Sequence, residues 1–192
     1  TASSSMAAIE QLDQSYTPTS NITVFNLATW QTATQSFTAG ATGQLSKIEV
    51  NVSVSMSVTA GNYLLKVYSG NGVSGTLLNG TGQVVSITSG GIKTFVLSQT
   101  VNVTVGQMYT VEFYPQGGAC SFNSSVNAYA GGNAGVRFTP GSFSNYTNYD
   151  LWFKTYVMST SGILCSGGST VVNVSATGGT APYTGTGAFS AG

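Results

Sequence analysis

Charged residues are scarce in this chain, and histidine is missing. Its 192 residues include five Lys or Arg and five Asp or Glu, so charged side chains make up 5% of the sequence. An ordinary soluble domain has about 25%. Without histidine, the histidine-based arrangements for general-base catalysis and for activating a Ser or Cys nucleophile are excluded. The net charge of zero and the lack of a basic run argue against a nucleic-acid partner.

Cysteine and long apolar runs are also in short supply. The two cysteines, Cys120 and Cys165, are too few for a disulfide scaffold. A bridge between them stays open, and the simpler interpretation of Cys120 is a small buried strand residue. The longest apolar runs extend over a few residues, as at 63–65, so no membrane span is expected. The first residues, TASSSM, carry no signal-peptide pattern, so any such peptide has been removed or lies upstream.

Serine, threonine and glycine are abundant instead. The chain holds 25 Gly and is rich in Ser and Thr, so hydroxyl and backbone groups must supply most of the polarity that charge normally provides. Surfaces of this composition suit extracellular proteins, adhesins and fibre modules better than the cytosol. We therefore expect a secreted or cell-surface protein.

Apolar and polar residues alternate along most of the chain, which is the pattern of half-buried strands. In the segment 47–58, one face carries the apolar side chains Ile48, Val50, Val52, Val54, Met56 and Val58. Turn signals rich in Gly, Asn and Ser separate a series of further short strand candidates. Many short strands without helices predict an all-β fold, an antiparallel jelly-roll β-sandwich.

Four segments are distinguished along the chain. They are a lead-in at 1–12, the jelly-roll sandwich at 13–158, a linker at 159–162 and a partial second domain at 163–192. In the lead-in, the apolar residues Met6, Ile9 and Leu12 are spaced by three, which predicts at most a turn or two of helix. The last segment holds one clear strand candidate, Thr170–Ala176, and is too short to bury a sandwich core of its own. It is expected to be the opening of a second β-domain.

The carboxylates available for catalysis are Glu10, Asp13, Glu49, Glu112 and Asp150. A glycosidase needs two carboxylates facing each other across a cleft. Glu49 and Glu112 fall in strand candidates among Ser, Asn and Thr, where a solvated outward face is the expected role. We therefore predict that the chain is not an enzyme and that it binds no cofactor.

Metal ligands are equally few. Zinc would need several Cys or Cys together with His, and neither combination exists. Calcium would need grouped oxygen ligands, and Asp13 and Asp150 are the only plausible carboxylate ligands outside strand interiors. Because no Asp-x-Asp spacing occurs, no metal site is predicted.

The region Phe122–Trp152 combines aromatic rings with amide groups, the two features that sugar binding uses. Several of these residues lie in the loop sequences NAYAGGNAG and GSFSNYTNYD, and loops at one end of a sandwich often carry binding residues. The predicted ligand-binding residues are Tyr129, Asn133, Arg137, Tyr146 and Tyr149. The alternative is structural, because tyrosines in Gly-rich loops also pack those loops against the sandwich.

Four motifs occur in a fixed order. They are QSFTAGATGQLSKIEVNV, YLLKVYSGNGVSGTLL, KTFVLSQTVNVTVGQMYTVEF and YDLWFKTYV. Together they resemble a jelly-roll β-sandwich module that is common in large secreted and cell-surface proteins of the Bacteroidetes and is often described as carbohydrate-binding-like. The resemblance covers residues 10–158. It implies the sandwich fold and a sugar-binding role.

The C-terminal sequence VNVSATGGTAPYTGTGAFSAG resembles the start of a gliding-motility adhesin repeat of the SprB type, which is an immunoglobulin-like surface repeat. The resemblance implies that 163–192 is a truncated immunoglobulin-like β segment. The two resemblances together imply a multidomain exported surface protein, a substrate of type IX secretion.

Two hypotheses about function follow. The leading one is a non-catalytic module of a secreted or cell-surface adhesin, which binds a polysaccharide or an extracellular partner. The rival is a structural fibre or filament subunit, or a secretion cargo fragment, whose C-terminal strand within 163–192 pairs with another chain by strand addition.

Overall fold

The computed structural model describes residues 8–19, 23–25, 31–54, 59–126, 129–138, 141–159, 172–174 and 187–189. Every helix or strand assigned within these residues is a β-strand, so the predicted all-β class is confirmed. Among the same residues, no helix has the length and hydropathy that crossing a bilayer requires.

Fifteen strands run through the described residues. In chain order they are β1 (Ile9–Tyr16), β2 (Thr23–Phe25), β3 (Gln31–Thr38), β4 (Gly43–Val52), β5 (Gly61–Ser69), β6 (Gln83–Ile87), β7 (Gly91–Val103), β8 (Met108–Gln116), β9 (Phe122–Val126), β10 (Ala134–Phe138), β11 (Phe143–Tyr146), β12 (Tyr149–Leu151), β13 (Phe153–Ser159), β14 (Val172–Val174) and β15 (Gly187–Phe189).

Two antiparallel sheets pack face to face as a β-sandwich, as the alternation predicts. The seven-stranded sheet has the order β1-β13-β4-β9-β12, with β7 paired to β4 and β2 paired to β9. The six-stranded sheet has the order β11-β10-β3-β8-β5-β6. Side chains from the two inner faces interdigitate to form the core of the sandwich, which is the usual way for two sheets to bury their apolar residues.

Aromatic rings join the two inner faces. The Phe113 ring, from the six-stranded sheet, lies 5.2 Å from the Phe122 ring and 5.8 Å from the Phe95 ring, both from the seven-stranded sheet. These tilted contacts are within the spacing that aromatic pairs favour.

Cys120, just before β9, is buried and its thiol is free, and burial raises the pKa of that thiol to about 11.

Strand β4 confirms most of the predicted inward face and corrects its end. Ile48, Val50 and Val52 are 1% exposed or less, whereas Val54 is 79% exposed. The prediction for Val54 was wrong because β4 ends at Val52, after which the Ser53 N–H donates to a backbone oxygen outside β7. Two further residues of the predicted face, 56 and 58, lie outside the described residues.

The inward face of β4 changes phase at Ser46. Leu45 and Ile48 are both buried, although they are three residues apart and strict alternation would put them on opposite faces. The register with β13 shifts between Lys47 and Leu45, so Ser46 is an extra residue of a β-bulge, and such bulges reset which side chains point inward.

The N-terminal segment contains a strand where the sequence indicates a helical turn. β1 begins at Ile9, and the Leu12 side chain is 52% exposed. A short isolated helix is marginal in water, whereas an edge strand gains hydrogen bonds from its neighbour, here β13. The spacing of three at residues 9–12 is therefore not helical, and residues 1–7 lie outside the described part of the chain.

The chain divides into two compact units, Glu10–Ser159 and a second made of Thr1–Ile9 with Thr160–Gly192. In the second unit, β14 and β15 pair antiparallel, with Val172 opposite Phe189. β14 lies within the strand predicted at 170–176, and the other residues of that candidate are outside the described residues. The division into a domain at 13–158 and an immunoglobulin-like segment at 163–192 stays a prediction.

Candidate binding surface

The outer face of the six-stranded sheet gathers polar and aromatic side chains through its register. Thr34 lies opposite Glu112, and Glu112 lies opposite Lys66 on the other side. Arg137 lies opposite Thr32. Directly paired residues, and residues two positions apart along a strand, point to the same face. These side chains and that of Tyr114 therefore share the face turned away from the core.

Glu112 lies at the centre of this surface and is completely buried. Its Oε1 lies 2.7 Å from Arg137 Nη2 and accepts a 3.0 Å hydrogen bond from the Thr32 hydroxyl. Its Oε2 accepts a 2.9 Å bond from the Tyr68 hydroxyl. A buried carboxylate is tolerated only when it is paired and hydrogen-bonded, and Glu112 meets both conditions. The sequence predicts a solvated glutamate here, and that prediction was wrong because Arg137, Thr32 and Tyr68 surround the carboxylate.

The surroundings of Tyr68 keep its hydroxyl protonated. Burial, and then the nearby negative charge of Glu112, raise the pKa of the Tyr68 hydroxyl well above its ordinary value. The hydroxyl therefore keeps its proton and remains available to the carboxylate.

Two cations lie close to the Tyr114 ring. Lys66 Nζ is 4.5 Å from the ring centroid and Arg137 Cζ is 5.3 Å from it, both within the range of a cation–π contact. The two cations come from β5 and β10, which lie on opposite sides of β8 in the sheet. Lys66, Tyr114 and Arg137 are all partly exposed, so this face presents an aromatic ring flanked by positive charge to solvent. We call these three residues the Tyr114 surface.

A loop and one aromatic ring form a wall beside this surface. The Gly72 N–H donates to the Thr110 hydroxyl, which in turn donates to the Gly70 carbonyl, so the loop after β5 folds back over the sheet. Gly72 has a φ of 85°, and a Cβ there would lie 2.7 Å from the Phe143 ring. Only glycine fits this close, left-handed position. Phe143 lies opposite Arg137 in the register, so the wall borders the guanidinium.

The outer face of the seven-stranded sheet is built differently. There Lys47 Nζ lies 2.7 Å from Glu10 and 3.9 Å from the centroid of the Tyr156 ring. Lys154 Nζ lies 3.7 Å from Glu49. Lys47 and Lys154 thus each have a carboxylate partner beside them. Among the described residues, Lys66 on the opposite sheet forms no such ion pair.

The structure separates several of the residues predicted to bind ligand. Arg137 belongs to the outer face of the six-stranded sheet, whereas Tyr146 lies opposite the buried Ala134 and so points to the other side of that sheet, at its edge. Tyr146 is 39% exposed. Tyr149 lies in the seven-stranded sheet opposite Val126 and packs partly against the core.

The other two predicted binding residues lie in the segment 129–133 that leads into β10. The Tyr129 ring packs edge-on against Phe153 at 5.1 Å, and its hydroxyl donates to the Gln14 side chain. Burial raises the pKa of Tyr129 to about 12. The Asn133 backbone forms hydrogen bonds with Ser36 in both directions. Ligand binding by these five residues stays a prediction, and Arg137 is the one that belongs to the Tyr114 surface.

Asp150 ties the two sheets together rather than opening to solvent. It is completely buried, accepting a 2.9 Å hydrogen bond from the Gln35 amide and a 3.2 Å bond from the Tyr129 N–H. The Gln35 carbonyl oxygen accepts from the Leu151 N–H. Asp13 accepts from the Gly40 N–H at 2.9 Å.

Within the described part of the chain, no group of three or more Cys, Asp or Glu side chains could hold a metal ion.

Lys66 and Tyr114 were not predicted as site residues, because they belong to strands that are remote in sequence from Arg137. Strand alternation alone indicates that Lys66, Glu112 and Tyr114 point away from the core. It does not give the strand order β10-β3-β8-β5, which brings two cations from opposite sides of β8 to one ring.

The fold and this surface define a two-sheet antiparallel β-sandwich with an aromatic and cationic outer face. No protein-family model matches the chain, and no curated protein or solved structure matches it significantly.

Proposed function

We propose that the chain is a non-catalytic module of a secreted or cell-surface adhesin that binds glycan through the Tyr114 surface. The observation that carries the proposal is the Tyr114 ring with Lys66 and Arg137 beside it on a face turned to solvent. Sugar binding uses such a ring for stacking and neighbouring polar groups for hydrogen bonds. The resemblance to carbohydrate-binding-like and SprB-type surface modules, and to type IX secretion substrates of the Bacteroidetes, supports the same class.

The state of the carboxylates supports a binding role over catalysis. Glu10, Glu49 and Glu112 are paired with basic side chains, and Asp13 and Asp150 accept hydrogen bonds from groups within the fold. A catalytic acid or base must exchange protons with a substrate. Carboxylates that serve as structural acceptors are poorly placed for that task.

Tyr114→Ala tests the proposal, with Tyr156→Ala as its control. Both tyrosines lie under a lysine on an outer face, but on opposite sheets. Binding to a panel of immobilised polysaccharides would be measured for both variants and the parent chain. We expect Tyr114→Ala to lose about 1–3 kcal/mol of binding free energy, by analogy with base stacking on aromatic side chains. Tyr156→Ala should bind as the parent does.

Two results would contradict the proposal. One is a parent chain that binds no polysaccharide. The other is a Tyr114→Ala variant that keeps full affinity while its far-UV circular dichroism matches the parent. Equal losses in both variants would point to a general destabilisation and not to this surface.

A structural role is the second candidate, and β14 with β15 favours it. These strands have three residues each, and a two-stranded sheet is marginally stable in water by itself. A strand from another chain would complete such a sheet by strand addition. Polymerisation of the purified chain that is lost on deleting 163–192 would support this candidate.

A further inference from the structure

We infer that the ligand of the Tyr114 surface is an anionic polysaccharide, one that carries carboxylate or sulfate groups. The inference rests on the proposed function and names the class of glycan. It comes from the charges around Tyr114 and from the contrast between the two outer faces of the sandwich.

The Tyr114 surface carries an excess of positive charge toward solvent. Lys66 and Arg137 are two of only five basic residues in the chain. The carboxylate beside them, Glu112, is fully buried beneath the surface and already holds three partners. The surface therefore combines one buried negative charge with two partly exposed positive charges. In a chain of zero net charge, this local excess selects for an anionic ligand.

The opposite outer face provides the contrast. Lys47 and Lys154 each have a glutamate of their own within ion-pair distance, and the Glu10 side chain is 40% exposed. Cations that are already neutralised at the surface attract an anion weakly. An aromatic ring under a lysine is thus present on both outer faces. Within the residues that the structure describes, only on the six-stranded sheet does that lysine, Lys66, lack a carboxylate partner.

The Arg137 guanidinium is held in place before any ligand arrives. Its Nη2 lies 2.7 Å from Glu112, which Thr32 and Tyr68 hold in turn. Its Nε and Nη2 are shielded from solvent, and the Arg137 side chain as a whole is 24% exposed, so a ligand would contact only that exposed part. An arginine fixed in this way loses little side-chain freedom on binding, and a fixed donor improves affinity for that reason.

The geometry fits a ligand that spans the ring. Lys66 and Arg137 approach Tyr114 from strands on opposite sides of β8. A sugar stacked on the ring would carry its anionic groups toward one or both cations. Such binding includes a Coulomb contribution at the surface and should weaken as salt is added.

The test compares three polymers with one backbone: dextran, carboxymethyl-dextran and dextran sulfate. Binding of the full chain to each would be measured at low and at moderate salt. The inference predicts binding to at least one anionic polymer, weakened by salt, with little binding to dextran itself. The polymer that binds more tightly identifies carboxylate or sulfate as the preferred group.

Lys66→Gln and Lys154→Gln form a matched pair, because each removes one positive charge and one cation over an aromatic ring, on opposite sheets. Lys66→Gln should weaken binding to the anionic polymer by about tenfold, the effect of losing one charge-assisted contact. Lys154→Gln should leave the affinity unchanged. Circular dichroism of both variants confirms that they are folded.

The outcomes separate this inference from the proposed function. Tight, Tyr114-dependent binding to neutral dextran overturns the inference and leaves the glycan-binding proposal standing. Equal weakening by Lys66→Gln and Lys154→Gln overturns the inference, because net charge alone then decides the affinity. A chain that binds none of the three polymers overturns the inference as well, and failure on the wider polysaccharide panel would overturn the proposed function.

Discussion

Glu112 carries its charge inside the protein, and three other strands supply the groups that satisfy it. Arg137 comes from β10, Thr32 from β3 and Tyr68 from β5. A buried ion pair is costly to desolvate, and removing one partner leaves the other charge buried without compensation. Glu112 therefore holds the Tyr114 surface in shape although no ligand would touch it.

Glu112→Ala should destabilise the protein by roughly 1–3 kcal/mol, because it leaves the buried Thr32 and Tyr68 hydroxyls without their acceptor and the partly exposed Arg137 without its carboxylate. Urea denaturation followed by tryptophan fluorescence would measure the change in the free energy of unfolding. The control is Glu10→Ala, which breaks an exposed pair with Lys47 and should cost about 0–1 kcal/mol. Equal losses in the two variants would show that Glu112 has no special structural role.

Asp13 should make stability depend on pH in an unusual direction. Burial raises the pKa of Asp13 above its ordinary 3.8, although the Gly40 N–H partly opposes the shift. The folded state then binds this proton more tightly than the unfolded state. Between the folded pKa and 3.8, the contribution of Asp13 to the free energy of unfolding rises as the pH falls. At neutral pH, the partly buried, ionised carboxylate of Asp13 destabilises the folded state.

The measurement is urea denaturation at several pH values for the parent chain, Asp13→Asn and Glu10→Gln. On acidification from neutral pH, the parent should gain stability relative to Asp13→Asn. Hydrogen bonds from Lys47 lower the pKa of Glu10 below its ordinary 4.5, so the parent should lose stability relative to Glu10→Gln as the pH falls through that folded pKa. The same sign in both comparisons would contradict the assignment.

At the scale of the element, β4 shows how much an inward-facing residue contributes to the stability of the fold. Val52 is completely buried, and Val54, two residues on, is 79% exposed because the strand has ended. Val52→Asp would bury an unpaired charge and should cost several kcal/mol. Val54→Asp makes the same chemical change at an exposed site and should alter stability by about 0.5 kcal/mol or less. Thermal unfolding of both variants checks this, and similar melting temperatures would show the assigned end of β4 to be wrong.

Most strands could be predicted from alternation because apolar residues at every second position mark the face that packs into the core. The exceptions have physical causes. Ser46 is an extra residue in a bulge, which shifts the phase without any change in composition. β1 follows the edge of β13 and has no regular inward face, since Ile9 and Leu12 are both exposed. A strand of this kind owes its conformation to pairing with a neighbour and not to its own sequence pattern.

The candidate surface was harder to predict than the strands that build it. Arg137 was identified from its aromatic and amide neighbours in sequence, whereas its actual neighbours are Glu112 and Tyr114. Those contacts depend on the order of strands in the sheet and on the fold of the loop after β5. Long-range pairing of this kind is not encoded in local spacing, so single-sequence patterns give the direction of a side chain but not its companions.

At the scale of the whole molecule, the two outer faces divide the few charges unequally. The seven-stranded sheet carries two lysine–glutamate pairs. The six-stranded sheet buries its one carboxylate and leaves two cations beside an aromatic ring. A chain with so little charge can thus keep one face nearly neutral and make the other attractive to an anion.

The most direct test of the account is to map where a glycan contacts the protein. Amide chemical shifts of the ¹⁵N-labelled chain would be followed during titration with the dextran derivative that binds most tightly. The account predicts that the perturbed amides cluster on β5, β8 and β10, around Lys66, Tyr114 and Arg137. Perturbations confined to the opposite face, around Lys47 and Lys154, or no saturable shift at all, would contradict it.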